Sequence, residues 1–125
     1  RRDRSRFLIG VLALIGTNFD IVYFVDIIID IRADSPTYLK WEAFELTEEN
    51  GRTLYVPVGF AHGFQTIADE THVLYSVSHP YTPGVEGGIR HDDPAIGIDW
   101  PLPVAVISEK DQAWPIVDLA KGIAI

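Results

Sequence analysis

Residues 51–62 read GRTLYVPVGFAH, and the order of residue types in them dictates a path for the chain. Thr53 to Val56 is a short β-forming run. Pro57, which has no amide hydrogen to give to a sheet ladder, closes it. Gly59 supplies a position that tolerates positive φ. The chain then re-enters a sheet with His62 directed inward.

The same grammar extends outward in both directions. Turn residues recur at short intervals: Ala33-Asp34-Ser35-Pro36, Glu49-Asn50-Gly51, Ala68-Asp69-Glu70 and Pro83-Gly84. Between them lie β-rich runs. From Asp26 to Arg32, Ile27, Ile29 and Ile31 fall on one face and Asp26, Asp30 and Arg32 on the other, the period-two alternation of a half-buried strand. Trp41 to Leu46, Thr53 to Val56 and His72 to Ser78 read likewise. Helical signals are confined to the last turn or two, around Val117 to Lys121. Many short strands with regular turns predict an all-β chain, a sandwich or barrel of the jelly-roll kind.

The chain has 125 residues, 47% of them hydrophobic and 22% charged, the composition of a single globular domain able to bury a core. It has no Cys, which excludes disulfides, thiol nucleophiles and thiolate metal sites and fits a reducing compartment, the cytoplasm. The net charge of −8 argues against nucleic acid as the main partner, because phosphate binding needs a basic face. A small anionic ligand remains compatible if Arg90 and Lys110 line its pocket. Arg1, Arg2, Arg4 and Arg6 crowd together ahead of FLIGVLALIG. As a secretion signal this start would mark a secreted β-sandwich binding module. No small-residue cleavage site follows it, however, and ten apolar residues are too few to span a bilayer, which needs about 20. It is expected instead to be a buried strand pair bent at Gly10 and Gly16, with no membrane partner. The chain has no Met and is read as a trimmed product or a piece of a longer one.

The spacing Gly51-x5-Pro57-x-Gly59-x2-His62 resembles the second motif of the cupin superfamily. Many cupins bind a metal through this histidine together with an earlier H-x-H…E motif, which is nowhere in this chain. His72, His79 and His91 are scattered, and a metal needs three or four convergent ligands. No metal and no cofactor are therefore expected. His62 is read as a hydrogen-bonding group in a pocket, with a buried structural histidine as the alternative.

A wider resemblance rests on VPVGFAHGF, Tyr75, the segment from Tyr81 to Glu86, DDPAIGIDWP and SEKD, with VDIIIDIRADSPTYLKW upstream. In this order and spacing they resemble the dTDP-4-dehydrorhamnose 3,5-epimerase family, cupin-type enzymes of nucleotide-sugar synthesis. The resemblance covers roughly residues 24 to 115. It implies a jelly roll, a homodimer paired through its sheets, and a dTDP-linked 4-keto-deoxysugar as ligand. The family epimerises the carbons beside a C4 ketone: a base removes the acidified proton from one face, an acid returns one from the other, and a further group stabilises the enolate. Tyr75 matches the family's acid, and in HVLYSV it shares a strand face with Val73 and Val77, consistent with an inward-pointing phenol. Tyr81 matches the tyrosine that stacks on thymine, with a rim aromatic as the alternative. His62 and Glu86 match substrate contacts, and Lys110 matches a basic residue that touches the nucleotide. Asp111 matches the carboxylate that orients the catalytic histidine, with an ordinary cap or surface acid as the alternative.

The resemblance breaks near the start. Counting back without gaps from Asp30-Ile31-Arg32 puts Ser5 where the family has its base histidine, within R-G-L-H, and places the enolate-stabilising lysine near Ile15. The family region that precedes R-G-L-H has no counterpart in the sequence. General acid–base groups are worth ~10²–10⁴ each in rate, so a chain without them is expected to show little epimerase turnover by itself. The alternative reading is a paralogue that binds a nucleotide sugar without turning it over.

Overall fold

The computed structural model describes residues 23–78 and 87–121, together with the backbone of the strand Ile9–Leu12. Six strands follow one another: β1 (Ile9–Leu12), β2 (Tyr23–Asp30), β3 (Trp41–Thr47), β4 (Thr53–Val56), β5 (Phe60–Thr66) and β6 (Leu74–Val77). They form two antiparallel three-stranded sheets, β3-β2-β5 and β4-β1-β6. The chain changes sheet between β3 and β4, and again at the Pro57–Gly59 turn between β4 and β5. This is the two-layer crossing of a jelly roll, as the punctuation predicts. The strand expected over residues 72–78 is shortened to β6.

The first crossing is organised by side chains. Asn50 Oδ1 accepts from the Thr47 and Arg52 amides at 3.1 and 3.0 Å, and Thr47 Oγ1 accepts from the Asn50 amide at 3.0 Å. The second crossing needs Gly59, whose φ is +91° and whose missing Cβ leaves room for the Arg32 side chain. A methyl there would stand 2.6 Å from Arg32 Cγ. Gly59→Ala is therefore expected to cost about 2 kcal/mol through combined backbone strain and collision. Urea unfolding of the variant against wild type measures this.

β2 is the central strand of its sheet, and the half-buried expectation is corrected here: both of its faces are covered. Register pairs Phe24 with Leu46 on β3 and with Thr66 on β5. Phe24 and Leu46 are buried together with Leu54 of β4 and with Val73, so this face of β2 looks towards the second sheet. The other face carries Ile27 and Ile29, with Ile31 beyond the strand end, as the alternation predicts. It is packed under residues of the irregular stretch after 87: Ile89, Ile96, Ile98, Trp100 and Val117. Asp26 and Asp30 thus lie inside the protein, with exposures of 0% and 2%.

The C-terminal stretch is held down by polar ties. Gln65 pairs its side-chain amide with the Leu102 backbone, donating to the carbonyl at 2.8 Å and accepting from the amide at 3.0 Å. Asp93, 1% exposed, accepts from the Ala95 amide at 2.9 Å and the Val117 amide at 2.7 Å. The one-turn helix α1 spans Glu109–Gln112, with Ser108 as N-cap accepting from the Asp111 amide at 3.1 Å. The helix expected around 117–121 is a turn instead. Ser108 supplies a cap three residues ahead of an acid, whereas the Val117 amide is already committed to Asp93.

Candidate functional site

The face of β2 that looks between the sheets carries the polar centre of the molecule. On β5, His62 pairs with Ile28 and Phe64 with Asp26. Directly opposed residues share a face, so His62, Asp26 and Phe64 stand together on the inter-sheet side. His62 Nδ1 lies 3.3 and 3.4 Å from the two carboxylate oxygens of Asp26. Nδ1 is thus the ring nitrogen that faces the Asp26 carboxylate, and Nε2 is the one left for another group. Phe64 packs edge-on against Phe24, with centroids 5.7 Å apart.

The inward direction of His62 follows the local sequence. Val56 ends β4, Gly59 turns the chain, and β5 starts at Phe60. Arg32 lies 4.9 Å from the Phe60 ring centroid and fixes this entry. Asp26, as the partner of His62, is what the alternation of β2 concealed: an acid on a presumed solvent face gives no sign that a second sheet covers it.

Tyr75 sits on β6. In the backbone register Val11 of β1 pairs with both Tyr75 and Leu54, and Leu54 packs into the inter-sheet cluster. Tyr75 therefore belongs to the inter-sheet face of its own sheet, the face expected of it. It is not enclosed: its exposure is 62%, and Leu74 and Val77 beside it are exposed too. β6 is the edge of its sheet among the described residues, with no strand beyond it to cover the phenol. The His62–Asp26 pair and the Tyr75 phenol thus lie on the faces that the two sheets turn towards each other.

Lys110 and Asp111 lie on α1, with the Lys110 ammonium 6.0 Å from the Trp114 ring centroid. The Asp111 amide caps the helix, its carboxylate is exposed, and among the described residues no histidine is bonded to it. Tyr81, Glu86 and His79 lie outside the described residues, as do Ser5 and Ile15. Arg90, named with Lys110 as a cation that could line an anion pocket, is engaged by Asp92 at 2.9 and 2.8 Å; this bond raises the guanidinium and lowers the carboxyl from their ordinary values. Among the described residues no three His, Asp or Glu side chains converge to hold a metal ion, and no helix is long and apolar enough to cross a membrane.

Comparison with known proteins bears directly on this arrangement. Residues 23–118 match the family model described as dTDP-4-dehydrorhamnose 3,5-epimerase. The chain is 50% identical over 91 residues to the dTDP-4-dehydrorhamnose 3,5-epimerase of Sinorhizobium fredii, a match that covers 72% of this chain and 47% of the relative. It is 46% identical over 92 residues to that of Methanothermobacter thermautotrophicus, covering 71% and 50%. The chain thus spans about half the length of the curated relatives it matches. Its fold superposes on the Bacillus anthracis dTDP-4-dehydrorhamnose 3,5-epimerase, solved with TDP and PPi bound, with a TM-score of 0.77 at 33% identity, covering 93% of this chain and 63% of that one. The Legionella pneumophila dTDP-6-deoxy-D-glucose-3,5-epimerase, in complex with dTDP-4-keto-L-rhamnose, gives 0.74 at 34% identity, covering 90% and 56%. With the matched residues running from β2 to beyond α1, through both sheets and every described site residue, the chain belongs to the dTDP-4-dehydrorhamnose 3,5-epimerase family.

Proposed function

We propose that this protein binds a dTDP-linked 4-keto-6-deoxy sugar between its two sheets and epimerises it beside the ketone, as a homodimer in the cytoplasm. The observation that carries this reading is the opposition of His62–Asp26 on one sheet to Tyr75 on the other, within a chain of this family. Removing a proton α to the C4 ketone leaves an enolate. Returning a proton to the opposite face inverts the carbon, with no atom gained or lost overall. Tyr75 is the proton donor, because a neutral phenol carries a transferable proton at an edge the sugar can reach. His62 is a substrate contact: Asp26 orients its ring, and Nε2 is directed at the sugar. Tyr81 stacks on the thymine, Glu86 and Lys110 hold the substrate, and Asp111 is a carboxylate partner for a histidine. Tyr55 and Leu74, exposed on the face of the β4-β1-β6 sheet opposite to Tyr75, suit the pairing of two copies.

A second reading, binding without turnover, rests on the count without gaps that puts Ser5 and Ile15 where the family has its base and lysine. Incubating the protein with the 4-keto sugar nucleotide in D2O separates the two. The epimerase reading expects deuterium at C3, C5 or both. No incorporation at high protein concentration, with dTDP still bound by calorimetry, would leave binding alone. Loss of both removes the nucleotide-sugar function.

A further inference from the structure

Four consecutive residues, Tyr38 to Trp41, line a cavity of about 320 Å³ together with Ala95 and Ile96. An extended strand would send alternate side chains to opposite faces. Leu39, with a φ of +63°, breaks that alternation just before β3 begins. Both contributing segments are pinned to buried acids. The Leu39 amide donates to the Asp30 carbonyl at 2.7 Å, and the Lys40 amide to the Thr37 carbonyl at 2.9 Å. Asp93 accepts from the Ala95 amide at 2.9 Å through its carboxylate, and from the Ile96 amide at 3.2 Å through its carbonyl. The cavity lies across the sheet from His62. Trp41 opposes Ile29 in the ladder and shares its face, and Ile29 packs with Ile96 on the side of β2 turned away from Asp26.

The lining is rich in donors. Its polar side-chain groups are the Tyr38 phenol, the Lys40 ammonium and the Trp41 indole N–H, and among the described residues none of the three has a hydrogen-bond or ion-pair partner. No carboxylate lines the cavity. An ammonium and an indole N–H only donate, and a half-buried indole N–H ordinarily finds an acceptor. We propose that this cavity is a second binding site, for a small organic anion carried on a flat ring. Lys40 takes the charge, while Tyr38 and Trp41 offer aromatic surface and two further donors. The volume sits at the small end of ligand sites, which run from about 300 to 1,000 Å³, and suits one ring bearing a carboxylate or phosphate group. Because the backbone of both segments is already tied down, little ordering remains to oppose binding. This site shares no residue with the one between the sheets.

The test titrates the full chain with benzoate and with phenyl phosphate, using phenol and inorganic phosphate as controls, and follows amide signals by heteronuclear NMR. The amides of residues 38–41 and 95–96 and the Trp41 indole N–H are expected to move together, with a Kd of about 1 mM or tighter for at least one of the two ring anions. Phenol and inorganic phosphate should each bind about tenfold more weakly, since each offers only half of the recognised chemistry. Lys40→Gln should weaken ring-anion binding about tenfold and Lys40→Arg should restore it. Added salt should weaken binding to the wild type, as it does for any exposed ammonium meeting an anion. Signals that stay still at about 10 mM of both ring anions overturn the site. So do shifts centred on His62 and Tyr75, which would place the anion between the sheets. Phenol binding as tightly as benzoate, unchanged affinity in Lys40→Gln, or binding indifferent to salt each removes the anion from the reading and overturns it. The salt series needs no variant, so the outcome does not hang on how Lys40→Gln folds.

Discussion

Replacing Tyr75 by phenylalanine is expected to lower deuterium incorporation into the 4-keto sugar nucleotide by ~10²–10⁴-fold, the ordinary worth of a positioned general acid, while dTDP affinity changes little. The substitution keeps the ring and the β-strand propensity that holds Tyr75 in register with Val11 on β1. It removes only the hydroxyl. If the phenol returns the proton, that loss appears in the chemical step and not in ground-state binding. Tyr75 is open at the sheet edge, 62% exposed, so its removal leaves no buried partner unsatisfied, and the fold provides no competing explanation for lost exchange. Wild-type incorporation in the phenylalanine variant would show that another group or solvent returns the proton. A parallel fall in dTDP affinity would make Tyr75 a binding residue.

The same residue shows what the sequence could and could not disclose. The alternation Val73, Tyr75, Val77 assigns the phenol to a strand face, and the structure keeps it on the inter-sheet face. Its exposure depends on β6 lying at a sheet edge, a nonlocal fact that no window of sequence contains. β2 fails in the opposite direction. Its isoleucines mark one buried face correctly, but Asp26 and Asp30 read as solvent-facing acids, because nothing local announces that the second sheet lies over the face of Asp26 or that the 32–37 turn closes on Asp30. The Pro57–Gly59 turn was legible, since a missing amide hydrogen and a positive φ are local demands. The helix lies ahead of the Val117–Lys121 stretch because Ser108 caps the Glu109–Gln112 turn through the Asp111 amide, whereas the Val117 amide is committed to Asp93.

Those buried acids carry the largest expected change in stability. Asp30→Asn is expected to destabilise the protein by about 3 kcal/mol at pH 7, the lower end of what breaking a buried ion pair costs. One carboxylate serves five donor groups. Oδ1 accepts from the Arg32 amide at 3.0 Å and from Nε at 2.9 Å, and Oδ2 accepts from Arg32 Nη2 at 2.9 Å, Ser35 Oγ at 2.5 Å and Thr37 Oγ1 at 2.6 Å. An asparagine keeps the shape but turns one acceptor into a donor facing donors. The cost stays at the lower end because Arg32, 48% exposed at its side chain, recovers hydration once released. The consequence reaches His62, since Arg32 fills the space beside Gly59 and lies over Phe60, where β5 begins. The Arg32 bond, aided by Ser35 and Thr37 and opposed by burial, holds the Asp30 carboxyl well below the usual carboxylate range. A depressed folded value stabilises the fold in full above the unfolded value of 3.8, and that contribution drains away as pH falls below it. Urea unfolding should therefore show the same gap between wild type and Asp30→Asn from pH 7 to about pH 5 and a narrowing gap below about pH 4. A gap that held constant to the acid limit would assign the loss to packing. A gap that closed on acidification assigns it to the charge that ties the 32–37 turn, and through Arg32 the entry of β5, to the central strand.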